Sequence, residues 1–129
     1  MRFCPQDLIV LESTPAGGLI SVLSDEGTVK SSIVPSQIAQ CGPLRSPNAV
    51  AVDSAHNVIV SESGPGGRIV LFGADARLQL TLMGGRSGPA ADGPPEESRW
   101  PAGLTVGPDD RLYVVMRGEK FAEVCVFAY

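Results

Sequence analysis

An internal repeat with a period near 50 residues is the strongest constraint on how this 129-residue chain folds. Shifted by 50 positions, residues 7–15 (DLIVLESTP) fall on residues 57–65 (NVIVSESGP), and the same register places Asp25 on Asp75. Repeats of this length are typical of folds in which each unit stacks on its neighbours to bury a continuous apolar core. The chain is therefore expected to fold as a series of similar units.

A third copy of the unit follows the second at a slightly larger offset. Shifted by 54 positions, residues 47–52 (PNAVAV) fall on residues 101–106 (PAGLTV). One further residue of offset places Ile69–Phe72 on Val124–Phe127. The chain is thus expected to form a single domain over residues 1–129, with copies at about 7–34, 44–83 and 99–129.

Each copy consists of short apolar runs separated by turn residues. Glycine and proline supply 15 and 11 of the 129 residues, more than their usual share, and they fall mainly between the runs. No segment has a sustained apolar stripe of helical period, so the pattern predicts antiparallel β-strands. The nine runs are Leu8–Leu11, Leu19–Leu23, Val50–Val52, Val58–Val60, Ile69–Phe72, Leu78–Leu82, Leu104–Val106, Leu112–Val115 and Val124–Phe127.

The second copy shows the unit most fully, and four short strands per unit are typical of a β-propeller blade. Its first strand is rich in small apolar residues, as expected of an inner strand that is packed on both faces. Asn57, like Asp110 in the third copy, is expected to take a left-handed backbone conformation at the end of a turn. The four strands are predicted over residues 48–53, 57–61, 68–72 and 77–82.

The second copy resembles an NHL repeat. The resemblance rests on Leu44–Asp53 (LRSPNAVAVD), Asn57–Ser63 (NVIVSES) and Arg68–Phe72 (RIVLF), and the linker that ends at Trp100 and Pro101 is similar to the usual connection between repeats. The resemblance implies an all-β fold of antiparallel, four-stranded NHL-type blades. About two and a half blades of a partial β-propeller would fit in this chain.

An incomplete propeller leaves apolar surface uncovered at both ends. The first copy lacks its inner strand, the third stops before its outer strand, and propellers usually close with about 4–8 blades. Large apolar faces are normally covered in a working protein. Three possibilities follow: self-association through the open blade ends, docking on another protein, or a degenerate, truncated propeller with no independent activity.

The net charge and the cysteine content limit the expected partners and cellular location of the chain. The net charge of −4 disfavours binding to a polyanion. Cys4, Cys41 and Cys125 are odd in number and far apart, so we expect reduced thiols in a cytoplasmic protein. No apolar run is long enough to span a membrane.

The sequence predicts no enzyme activity and no metal or other cofactor. His56 is the only histidine, so a site with two histidine ligands is excluded, and a solvated turn residue is the expected role. The acidic pairs Glu96–Glu97 and Asp109–Asp110 lie in segments rich in glycine and proline. Neighbouring side chains on an extended backbone point apart, so neither pair is expected to act as a catalytic dyad.

One inter-blade linker carries the candidate partner-binding residues. Arg86 and Arg99 flank the linker of residues 84–99, and Trp100 follows directly. Some NHL propellers bind RNA through a basic surface with exposed aromatic side chains, so the resemblance implies RNA as an alternative ligand of this linker. Three acidic residues in the same linker weaken the local positive field. An RNA-binding partial propeller is therefore the alternative rather than the first prediction. The acidic residues are Asp92, Glu96 and Glu97.

The resemblance implies a non-catalytic scaffold that binds proteins. NHL propellers often form the substrate-recognition end of ubiquitin ligases, in which a separate RING domain recruits the conjugating enzyme. Three scattered cysteines and one histidine are too few for the paired zinc sites of a RING domain. The chain is accordingly expected to be a recognition or accessory component of ubiquitin-dependent protein degradation, linked to ligase machinery only by association.

Overall fold

A computed structural model describes residues 7–64, 67–83, 100–118, 120 and 122–129. These residues form ten β-strands and one short 3-10 helix, Pro35–Gln37, and none of them lies in a helix long and apolar enough to cross a bilayer. The strands are β1 (Leu8–Glu12), β2 (Leu19–Leu23), β3 (Val29–Ile33), β4 (Pro47–Val52), β5 (Val58–Glu62), β6 (Ile69–Phe72), β7 (Leu78–Met83), β8 (Trp100–Val106), β9 (Leu112–Arg117) and β10 (Ala122–Phe127).

The strands form three antiparallel sheets that follow one another along the chain. The first sheet has the order β1-β2-β3, the second β4-β5-β6-β7 and the third β8-β9-β10. This confirms the predicted all-β, antiparallel fold, and every predicted apolar run lies within a strand. Only β3 is not among those runs, because its sequence, VKSSI, is mostly polar and largely exposed.

The second sheet lies between the other two and packs on both. One core cluster, which includes Ile20 and Phe72, fills the space between the first and second sheets. A second cluster, which includes Ile59 and Leu112, fills the space between the second and third sheets. β5 and β6 are buried on both faces, which fits the continuous rather than alternating apolar runs Val58–Val60 and Ile69–Phe72 within them.

Four hairpin turns with the same hydrogen bonds lie at one end of the sheets, which we call the turn end. In each turn the first residue's N–H donates to the fifth residue's carbonyl, and the fourth residue's N–H donates to the first residue's carbonyl. The fourth residue always has a positive φ, from 60° at Asp110 to 87° at Gly27. The turns cover residues 24–28, 53–57, 73–77 and 107–111.

The turn geometry corrects one predicted conformation and confirms another. Asp110 has the expected left-handed backbone, with a φ of 60°. The prediction for Asn57 was wrong, because His56 is the fourth residue of its turn and has a φ of 65°. Asn57 follows as the fifth residue, and its backbone N–H donates to the Asp53 carboxylate at 2.9 Å.

The same turns correct the alignment of the first two copies by one residue from β2 onward, while β1 keeps the offset of 50 to β5. Ser24 and Gly73 occupy the same place in their turns, so Glu26, and not Asp25, is equivalent to Asp75. A shift of one residue moves a strand side chain to the opposite face of its sheet. Ile20 and Val70, which the shift by 50 aligned, in fact pack toward each other from neighbouring sheets.

The opposite end of the sheets, the linker end, is held by residues 34–46, which connect the first sheet to the second. Leu44 donates its backbone N–H to the Gly17 carbonyl at 2.7 Å. The carboxylate of Glu62, at the end of β5, accepts the backbone N–H of Arg45 and the Nε–H of Arg68, both at 2.7 Å. A single nearly buried carboxylate thus ties the linker to the second sheet.

The described cysteines are free thiols. Cys41 is buried, and burial raises the pKa of its thiol above the usual value. Cys125 is half-buried and packs against the second core cluster, on the inner face of β10. Cys4 lies outside the described residues.

Candidate interaction surfaces

The third sheet has an apolar outer face that no other part of the described chain covers. Val124 and Val126 on β10 are 65% and 52% exposed. Their cross-strand neighbours on β9 are Val115 and Tyr113, which places all four side chains on the same face. With Trp100, these residues define the third-sheet outer face.

The residues of the second sheet that are equivalent to the third-sheet outer face are buried against a neighbouring sheet. The offset of 55 residues found in the sequence places Val124 on Ile69 and Val126 on Leu71. Ile69 is fully buried and Leu71 nearly so, and both pack in the cluster that joins the second sheet to the third. The third sheet therefore repeats a surface that, one sheet earlier, forms an intersheet core.

The first sheet has a similar surface at the opposite end of the stack. Leu8 and Val29 are 58% and 59% exposed. Leu23 pairs with both of them across the sheet, and Val10 lies two residues from Leu8 on the same face of β1. These four side chains define the first-sheet outer face, while Ile9, between Leu8 and Val10, packs against the first core cluster on the inner side.

Charges of opposite sign border the two outer faces at the linker end. Glu12 ends β1, lies on the same face as Leu8 and Val10, and is exposed. Arg117 ends β9, pairs with Trp100 across the third sheet, and is also exposed. One outer face thus has a carboxylate at the edge where the other has a guanidinium.

Of the predicted partner-binding residues, only Trp100 can be placed. It is half-buried at the start of β8 and lies on the third-sheet outer face beside Arg117. Arg86 and Arg99 lie outside the described residues. Sequence reasoning missed Val124 and Val126 as surface residues, although their equivalence to the buried Ile69 and Leu71 was a usable signal.

The turn end has an open groove of about 830 Å³ lined by polar and apolar side chains, among them Asp53, Asp110, Leu71 and Leu80. The Asp53 carboxylate accepts hydrogen bonds from Ala55 N–H at 3.0 Å, from Asn57 N–H and Nδ2–H at 2.9 Å, and from the Tyr129 hydroxyl at 2.8 Å. Its acceptor positions are therefore occupied by the protein itself. This network fastens Tyr129, two residues after the end of β10, to the turn between β4 and β5 of the second sheet.

This hydrogen-bond network determines the protonation states of Asp53 and Tyr129. Burial acts to raise the pKa of Asp53, but the hydrogen bonds from Asn57, Tyr129 and Ala55 outweigh it, and the pKa lies below its usual value. Burial and the neighbouring Asp53 carboxylate raise the pKa of Tyr129 well above its usual value. Asp53 is thus a charged acceptor and Tyr129 a neutral donor at neutral pH.

Replacing Asp53 by asparagine should lower the free energy of unfolding at pH 7 by about 1–3 kcal/mol, because an amide cannot accept all four hydrogen bonds. A carboxylate with a lowered pKa stabilises the fold above its unfolded pKa, near 3.9. That contribution is lost as the pH falls through the folded pKa. Urea denaturation of the two proteins from pH 7 to pH 3 should therefore show the difference shrinking below about pH 4.

The control for this prediction is Asp75→Asn, at an exposed turn residue whose carboxylate accepts the Arg77 N–H at 3.1 Å. It should change the free energy of unfolding by no more than about 0.5 kcal/mol at any of these pH values. If the Asp53→Asn difference stayed constant down to pH 3, the assignment of a stabilising charged carboxylate would be wrong.

The other candidate chemical groups have local partners or a turn role. His56 lies in its turn and is half-buried. Asp109 forms an ion pair with Arg111 Nε at 3.4 Å, whereas Asp110 accepts the Ser54 N–H at 3.0 Å. Among the described residues, no three histidine, cysteine, aspartate or glutamate side chains are grouped so that they could hold a metal ion.

No protein-family profile matches the chain, and no curated protein is significantly similar to it.

Proposed function

We propose that this protein is a non-catalytic interaction scaffold, a partial propeller of about two and a half NHL-type blades that binds proteins through its two outer sheet faces. The observation that supports this most strongly is the exposure of the third-sheet outer face, led by Val124 at 65%. Exposed apolar patches on soluble proteins typically mark interaction sites.

The chemistry of the outer faces favours a protein as the partner. Valine, leucine and aromatic side chains on a flat sheet offer apolar area and few polar groups, which suits another apolar protein surface. RNA recognition relies instead on clustered cations. Arg117 borders the third-sheet outer face, and the whole chain has a net charge of −4.

The resemblance to NHL repeats adds a cellular setting to this proposal. In that setting the chain is a recognition or accessory component of ubiquitin-dependent protein degradation in the cytoplasm. Ligase machinery is then among the partners expected on the outer faces, and the chain itself performs no chemistry.

Site-specific photo-cross-linking tests the proposed function. A photoreactive amino acid would replace Val124 on the third-sheet outer face and, in a separate protein, Val29 on the first-sheet outer face. The matched control is Leu80 on β7, which is 42% exposed but lies on neither outer face. Irradiation of cells that express each protein should give discrete protein adducts at Val124 and Val29 and few at Leu80, and mass spectrometry identifies them.

Two results would count against the proposal. If the chain is folded and neither outer face gives protein adducts, these faces do not bind proteins. Adducts to RNA rather than protein would favour the RNA-binding alternative.

A further inference from the structure

We propose that the partner of each outer face is a second copy of this chain, so that two copies close a ring of six sheets. In this ring the first-sheet outer face of each copy packs on the third-sheet outer face of the other. The inference rests on the proposed function, since it uses the same two surfaces, and it adds the identity of the partner.

The chain itself already contains two interfaces between successive sheets. The inner side of the first sheet packs on the second sheet, and the other side of the second sheet packs on the third. Both interfaces join successive units of one repeat, with β1 contacting β4 and β4 contacting β8. A third interface would place another first sheet on the third-sheet outer face. The first sheet has no strand equivalent to β4 or β8, so this interface would use the second and later strands of each unit, which supply the buried strand residues of both core clusters.

The two outer faces correspond to the two sides of such an interface. Val124 and Val126 repeat Ile69 and Leu71, which face the following sheet. On the first sheet, Leu8 and Val10 repeat Val58 and Val60, which are buried against the preceding sheet. Each outer face therefore lacks the kind of surface that the other presents.

The number of sheets permits a closed assembly of two copies. One chain has three sheets, so two copies have six, which lies within the range of about 4–8 at which propellers close. Three copies would have nine sheets and exceed that range. A head-to-tail interface forms a ring when its rotation closes, and two identical interfaces related by a twofold axis leave no outer face exposed.

The charges at the linker end agree with this pairing. The second and third sheets have their turn ends on the same side, as the hydrogen bond from Ser54 N–H to Asp110 Oδ1 between two turns shows. A further sheet stacked in this way would bring Glu12 of one copy to the edge where the other copy has Arg117. Pairing like faces would instead place the same charge on both sides.

Light scattering across a size-exclusion peak, repeated over a range of loading concentrations, tests the ring. The wild-type chain should have twice the 13.5 kDa mass of one copy. Val124→Asp and Val29→Asp should each give a monomer and weaken the dimer by at least about a hundredfold, because each buries an unpaired charge in both interfaces. Leu80→Asp should leave the dimer intact.

Mixing the two monomeric variants identifies the head-to-tail arrangement. In a dimer of one Val124→Asp copy and one Val29→Asp copy, both substituted residues lie in the same interface. The other interface is formed by unaltered faces. The mixture should therefore recover dimer mass that neither variant has alone. Circular dichroism of each variant checks that its sheets are retained.

Three outcomes would overturn the ring: a wild-type monomer at all concentrations, a dimer insensitive to Val29→Asp, or no recovery on mixing. These outcomes are distinct from a failure of the proposed function. A monomeric chain that still cross-links to other proteins at Val124 would keep the interaction function and exclude the second copy as the partner.

Discussion

Replacing Phe72 by alanine should lower the free energy of unfolding by about 3–5 kcal/mol. Phe72 is fully buried in the core cluster between the first and second sheets, where Ile20 and Val60 also pack. Removing the ring loses its burial and leaves a cavity that rigid strands on both sides cannot fill. Because domains of this kind are stable by only about 5–15 kcal/mol, the variant should be close to unfolding at 37 °C.

Urea denaturation at one fixed protein concentration measures this effect, since self-association would make stability depend on concentration. The control is Leu80→Ala, at an apolar residue on β7 that is largely exposed. It should cost no more than about 0.5 kcal/mol. Equal losses for the two variants would mean that the first and second sheets do not share a packed core.

Replacing Arg68 by alanine is the second substitution with a large expected effect, about 2–4 kcal/mol. Glu62 is nearly buried, and its Oε2 lies 2.7 Å from Arg68 Nε. Loss of the guanidinium leaves a carboxylate with little solvent and no opposite charge, which costs about 3–5 kcal/mol for a fully buried pair. The estimate is lower here because the Arg68 side chain is partly exposed.

A second substitution separates lost charge compensation from lost packing. Adding Glu62→Gln to Arg68→Ala should recover part of the stability, because the amide oxygen still accepts the Arg45 N–H and no charge remains buried. Arg111→Ala is the matched control, since Arg111 pairs with Asp109 at 3.4 Å on the surface and should cost no more than about 1 kcal/mol. An Arg68→Ala loss as small as that of Arg111→Ala would contradict the assigned role of the pair.

The sequence allowed most of the strands to be predicted, because their apolar runs are short and their turns are rich in glycine. It did not reveal β3, whose polar, exposed VKSSI sequence is defined by pairing with β2 rather than by its own pattern. Nor did it fix the register of the first copy. Ile20 and Val70 are both apolar, so the sequence alignment could not show whether their side chains lie on equivalent or opposite faces of their sheets.

Turn conformation was predicted from residue type alone, and this explains the error at the second turn. Asparagine and aspartate tolerate a left-handed backbone better than histidine or alanine. Yet His56 and Ala76 take that conformation, because the hairpin geometry requires it at the fourth position whatever residue is there. Position within the turn outweighed intrinsic preference.

The outer faces could be only partly predicted from the sequence. The incomplete number of strands indicated uncovered surface at both ends, and Trp100, one of the predicted partner-binding residues, lies on one outer face. Apolar residues such as Val124 and Val126 look the same in a sequence whether another sheet covers them or not. Only the order of the sheets shows that β9 and β10 have a covered face and an exposed one.

Photo-cross-linking at Val124 tests most directly whether the outer faces are the working surfaces of this protein. It probes the most exposed large apolar residue in the described chain, on the sheet face that repeats a buried core surface. The proposed function predicts discrete protein adducts at Val124, with few at the equally apolar control position Leu80. Adducts of equal yield at the two positions, or none at Val124 in a folded chain, would contradict it.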